Sequence, residues 1–145
     1  MIQIKSIPSL FTHAVRHPVL RPGKPIDTCI FDGDDLQTTK HFGLYLNEDL
    51  IGVISVFENK NSTFNSLNQL QIRGMAVLQE FQGKGYGRLL VNEVENYAKK
   101  VKSNLIWFNA RENAANFYKI MGYEIYGSLF DIAGIGLHYV MYKQI

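Results

Sequence analysis

At 145 residues, with 46% hydrophobic and 12% aromatic side chains, the chain can bury a core of ordinary size and reads as one domain over residues 1–145. Charged residues make up 19% and the formal charge is +2, which excludes the dense basic face of a nucleic-acid binder and directs attention to a small molecule. A lone Cys29 excludes an internal disulfide and a cysteine-based zinc site, and no run reaches the roughly 18 apolar residues of a membrane span.

The N-terminus, "MIQIKSIPSLFTHAVRH", lacks the apolar core of a signal peptide, and a single thiol suits a reducing compartment, so the expectation is a cytoplasmic protein. Period-two alternation in "IQIKSI" predicts a first strand, and a helix is expected from Pro8 or Ser9 to Leu20, stopped by "RPGKP". "IDTCIFDGDDLQTTK" is rich in turn formers and acids and reads as irregular. Its acids Asp32, Asp34 and Asp35 either recognise a cationic amine or shape a solvated turn. "HFGLYLNEDLIGVISVFEN" predicts a hairpin turning at Asn47 to Asp49. After a polar loop, "LNQLQIRGMAVL" is a fourth strand, with Leu70, Ile72 and Gly74 assigned to one side.

Next comes "EFQGKGYGRLL", with Gly83, Gly85 and Gly87 at alternate positions. Beyond it, Leu90, Val94, Tyr97 and Val101 recur as one face of a helix. "NLIWFNA" is apolar enough for a central strand buried on both faces. A further helix, "ENAANFYKIM", ends at Gly122, and "YEIYGSLF" and "LHYVMYKQ" close the chain as strands. The total is about seven strands and about three helices, an α+β arrangement.

A strand, a glycine loop and a helix start form a natural phosphate seat, because the first helical N–H groups lack partners and carry partial positive charge. A purely structural turn is the competing reading. The P-loop pattern fails, since Lys84 lies between glycines and no Ser or Thr follows a terminal lysine. The dinucleotide fingerprint fails on spacing, on the four strands that precede it, and on the end of the next strand, "FNARE", where Asn109 and Arg111 come before any acid.

The run Gln82-Gly83-Lys84-Gly85-Tyr86-Gly87 matches Q/R-x-x-G-x-G/A, and "NFYKIMGY" follows about one strand later. With "IRGMAVL" before the loop, the chain resembles the GNAT family of N-acetyltransferases, and "FDGDDL" with "HYVM" is most similar to its ElaA-like branch. The resemblance implies an α+β GNAT-like fold: a mixed, mostly antiparallel sheet flanked by helices and split where the strand ending at Val77 leaves "LIWFNA". It implies transfer of the acetyl group of acetyl-CoA, a cosubstrate, to the amine of a small molecule or peptide, with no metal, nucleic acid or membrane involved. A non-catalytic acyl-CoA sensor keeping the same loop is the alternative. Family members often dimerise, so a homodimer is a partner to consider.

On the same resemblance, the pyrophosphate would rest on Gln82, Gly83, Lys84, Gly85, Tyr86, Gly87 and Arg88, and the pantetheine arm along Met75, Ala76 and Val77. Arg111 stands where many members have a cofactor-binding asparagine; Asn109, Asn113 and Asn116 lie nearby, none at the usual spacing, and Arg111 and Asn116 are taken as the cofactor-binding candidates. Tyr118 would donate to the departing thiolate. A phenol near pKa 10 and a thiol near 8.5 make full proton transfer about 2 kcal/mol uphill, small against an enzymatic barrier, so the role is feasible without a large pKa shift. Only about one alkylamine in a thousand is neutral at pH 7, which calls for a proton acceptor. His138 is the candidate, with Glu80 as a second, each set against a structural or surface role.

Overall fold

The computed structural model describes all 145 residues. Seven strands form one sheet: β1 (Ile2–Ser6), β2 (Lys40–Leu46), β3 (Asp49–Phe57), β4 (Gln69–Val77), β5 (Leu105–Arg111), β6 (Glu124–Ile132) and β7 (Gly136–Gln144). Their order is β1-β2-β3-β4-β5-β7-β6, antiparallel throughout except for the parallel pair β4 and β5. Three helices, α1 (His13–Leu20), α2 (Tyr86–Lys100) and α3 (Ala115–Ile120), flank it. This is the expected α+β architecture, strand for strand.

The two faces of the sheet are covered differently. On one, α2 contributes Leu90, Val91, Val94 and Ala98 and α3 contributes Ala115 and Tyr118 to a core with Leu44, Ile54, Ile106 and Met141. On the other, Val15 of α1 packs with Val53 and Ala76. Burial of such side chains contributes about 1.5–3 kcal/mol each. The helix face predicted through Tyr97 and Val101 is corrected accordingly. The helix ends at Lys100, Lys102 takes a left-handed φ of 60°, and Val101 is left exposed beyond the last turn. The first helix also starts later than expected, at His13, because residues Ser9–Thr12 wind as a tighter 3-10 turn. A similar turn, Glu112–Ala114, shortens α3 at its start, whereas Gly122, at φ 95°, ends it as predicted.

The sheet opens at its centre. β4 and β5 pair only at Gln69–Leu105, Leu70–Ile106 and Gln71–Trp107, and then diverge. From Ile72 to Val77 one edge of β4 therefore has no neighbouring strand. A bulge accompanies the opening, since between the pairs Val53–Ala76 and Ser55–Arg73 one residue of β3, Ile54, faces two of β4, Gly74 and Met75. Gly74 carries it at φ 69°. The extra residue turns Gly74 toward the α1 face, against the assignment that grouped it with Leu70 and Ile72. An added Cβ there would meet the Phe31 ring at 2.8 Å and Arg16 Nε at 3.2 Å. Gly74→Ala should therefore destabilise the protein by roughly 1–3 kcal/mol, read as a lower urea midpoint. An unchanged midpoint would show that the bulge relaxes freely.

Candidate functional site

A cleft of about 620 Å³ lies where the sheet opens, between the end of β4 with the following loop and the start of α3. Met75, Ala76 and Val77 form one wall, and Phe117, Ile120 and Met121 the opposite one. At its far end stand Gln82, Gly83, Gly85, Tyr86, Gly87 and Arg88. Every residue predicted to hold the pyrophosphate is thus brought to this cleft except Lys84, which is exposed with its ammonium 5.8 Å from the Phe81 ring.

The loop's glycines act through backbone shape. Gly83 (φ 76°) and Gly85 (φ 86°) are left-handed, and a Cβ added at either would meet nothing within 4 Å, so it is backbone conformation and not crowding that asks for glycine there. Gly85 caps α2 with no side chain, and no acid occupies the first turn, so its leading N–H groups are neither capped nor neutralised. Gln82 Nε2 donates to the Val77 carbonyl at 2.8 Å and ties the loop to the end of β4. At Gly87 a Cβ would lie 3.4 Å from Phe117 and 3.6 Å from Met75, narrowing the cleft. An apolar channel beside an unpaired strand edge, ending in free amides and an arginine, has the chemistry to receive an elongated ligand with an anionic end.

A second cavity, about 330 Å³, opens on the other side of the split, and Met75 and Ala114 line both. Tyr118 of α3 and His138 of β7 both line this second cavity. Tyr118 is buried, with its ring 4.4 Å from Phe108 and 5.0 Å from Phe117, centroid to centroid. Its hydroxyl donates only to Met75 Sδ, at 4.0 Å, a weak acceptor that a better one can replace. Burial pushes the phenol far above its usual range, which makes full proton transfer to a thiolate less favourable than for a free tyrosine. The group is a fixed O–H donor over the working pH range and a poor proton releaser.

His138 is buried, and its Nδ1 lies 2.7 Å from the Gly136 carbonyl. A carbonyl only accepts, so Nδ1 carries the proton and Nε2 keeps its lone pair in the neutral ring. Arg16 Nε is the one sealed side-chain nitrogen or oxygen without a partner; His138 Nε2, also unpartnered, therefore retains access to the cavity.

Other candidates are distributed differently. Arg111, exposed at the end of β5, borders the second cavity and not the cleft. Asn116 is exposed and borders neither, whereas Asn113 borders the cleft. Glu80 is an exposed acid outside both. Asp34 is no free anion: it is buried and takes Arg16 Nη1 at 2.6 Å, Arg16 Nη2 at 3.1 Å and the Phe31 N–H at 2.9 Å. Asp35 accepts the Ser9 hydroxyl at 2.6 Å. Cys29 is buried, and that burial pushes its thiol up, away from nucleophilic use. Sequence reasoning missed Arg21, Phe31, Gln71 and Arg73 on the second cavity. Strand alternation opposite Ile72 was the available signal for Arg73, and it reads equally well as a solvent face.

No helix is long and apolar enough to cross a membrane. The family model described as acetyltransferase (GNAT) family matches residues 8–123. The uncharacterised N-acetyltransferase YitI of Bacillus subtilis (strain 168) is 30% identical over 145 residues, 100% of this chain and 97% of its own. Escherichia coli ElaA shares the fold at a TM-score of 0.76 and 19% identity, over 99% of each chain. A GNAT family acetyltransferase from Elizabethkingia anophelis, solved with acetyl-CoA bound, aligns at a TM-score of 0.69 and 16% identity, over 99% of this chain and 98% of its own. The opened sheet, the glycine loop before α2 and the match over residues 8–123 agree: the chain belongs to the GNAT acetyltransferase family.

Proposed function

We propose that the chain is an N-acetyltransferase that moves the acetyl group of acetyl-CoA directly to an amine. The observation that carries this reading is the meeting of two cavities at Met75 and Ala114, with the Tyr118 hydroxyl 4.0 Å from Met75 Sδ. One cavity suits the acyl donor and the other its acceptor, and a hydrogen-bond donor sits where they join.

The loop amides from Gln82 to Arg88 hold the phosphates, and the free edge of β4 at Met75 to Val77 pairs with the thioester arm. An N–H of that edge receives the oxygen that gains charge as the amine attacks the acetyl carbon. Tyr118 exchanges its thioether partner for the leaving sulfur and donates a hydrogen bond to it as the C–S bond breaks. His138 Nε2 accepts the proton that the amine must shed. Because burial holds Tyr118 protonated, its part is stabilisation of the thiolate by the O–H, with final protonation left to water.

A thiol-release assay across amine classes tests the proposal. CoA binding without thiol release from any amine would favour the sensor reading instead. The loop has its own test. Gly85→Val forces a β-branched residue into a left-handed conformation at the cap of α2. It should weaken CoA binding at least about tenfold by calorimetry, with the core untouched because no atom lies within 4 Å. Wild-type affinity in that variant would remove the loop from the binding site.

A further inference from the structure

The second cavity carries a charge pattern that acetyl transfer alone does not require. Three guanidinium groups gather around the Phe31 ring, with Arg16, Arg73 and Arg21 at 3.9, 4.8 and 5.6 Å from its centroid. Arg16 is sealed and neutralised by Asp34. Arg73 and Arg21 are in no ion pair, and Arg111, across the split on β5, is in none either. Arg21, Arg73 and Arg111 all border the cavity, and no aspartate or glutamate does. Two acids reach Arg73 with their charge, and both lie outside the lining: Asp34, already bound by Arg16, and the exposed Asp32.

We propose that this cavity selects an acceptor amine that also carries an anionic oxygen group, a carboxylate or a phosphate. The inference rests on the acetyl-transfer reading for the position of the amine, beside Tyr118 and His138. A guanidinium presents a planar fork of donors that matches these anions in pairs of parallel hydrogen bonds. Arg73 is half-buried and shares Asp34 with Arg16, so part of the cost of withdrawing its charge from water is left for an arriving anion to offset. The same charges repel a polyamine and disfavour the ammonium form of a bound amine, which assists its deprotonation. Ile132 and Ile135 supply an apolar wall, and about 330 Å³ lies at the small-molecule end of pocket sizes.

Product mimics test this without turnover. On CoA-saturated protein, calorimetry would compare a panel of N-acetylamino acids with their carboxamides, N-acetyl-O-phosphoethanolamine with N-acetylethanolamine, and N-acetylputrescine as the cationic arm. One anionic arm should bind about 10–100-fold more tightly than its uncharged match, and the better arm distinguishes carboxylate from phosphate. Arg73→Gln and, separately, Arg21→Gln should each erode that preference while CoA affinity stays at the wild-type value, which also reports that the variant is folded. Equal or tighter binding of the carboxamides or of N-acetylputrescine would overturn the proposal, as would no binding by any anionic mimic. Anion-selective binding with no thiol release from any amine leaves the anion site standing and removes the transfer reading. Turnover confined to uncharged or cationic amines does the reverse.

Discussion

Tyr118→Phe should lower kcat for acetyl transfer by about 10²–10³-fold, the usual loss when one donor aimed at developing charge is removed. The substitution deletes a single oxygen and keeps the ring, so its packing on Phe108, Phe117 and Tyr123 persists. The hydroxyl's only partner is Met75 Sδ at 4.0 Å, so little native hydrogen bonding is lost with it. CoA affinity should change by no more than about twofold, because the loop amides and β4 edge are untouched. The direction of the phenol's shift adds a second signature. Burial raises the pKa, so the group keeps its proton through the range where a free tyrosine would lose it. The pH–rate profile should therefore show no decline near pH 10 that disappears in Tyr118→Phe. An unchanged kcat in the variant would remove Tyr118 from the chemistry, and a vanishing basic limb would show that the phenol ionises after all.

Much of the architecture is written in local signals. Alternation marks the strands, Asn47 at φ 57° turns the β2–β3 hairpin, and Gly122 ends α3, because these depend on a few neighbouring residues. The glycine loop is legible for the same reason, since its function is backbone conformation at a helix start. The bulge at Gly74 is different. A glycine in an alternating run announces neither its φ nor the extra residue it inserts, yet that insertion decides which way Arg73 and Met75 point. The fate of Asp34 was equally hidden. An acid in a turn-rich segment resembles a solvated one until Arg16, 18 positions earlier, is seen to reach it beneath Phe31. The burial of Tyr118 follows from three aromatic neighbours, Phe108 on β5, Phe117 on its own helix and Tyr123 just before β6, and spacing alone does not report it.

The buried pair also supports the largest stability effect expected in this chain. Burial by itself would raise the Asp34 carboxyl. The hydrogen bonds from Arg16 and the Phe31 N–H, together with the Arg16 charge, outweigh it and hold the group below the ordinary carboxylate range. Arg16 spends its other bonds on the Cys29 carbonyl at 2.8 Å and the Ser55 hydroxyl at 2.9 Å, so the pair joins α1, the acid-rich segment and β3. Asp34→Asn leaves that guanidinium buried without a counter-charge and should destabilise the protein by about 3–5 kcal/mol at pH 7, read from urea unfolding. A depressed folded-state pKa contributes stability that is complete above the unfolded value near 3.9 and is lost as pH falls through the folded one. The gap between wild type and variant should therefore be constant from pH 7 to about pH 5 and shrink in more acidic solution. A gap of under about 1 kcal/mol at pH 7, or one that widens on acidification, would show that the pair is not what secures this corner. Because the same contacts seat Phe31, on which Arg73 and Arg21 lean, the variant should also lose preference between acid and amide mimics while CoA binding persists. That combination separates a support for the acceptor cavity from a support for the whole sheet.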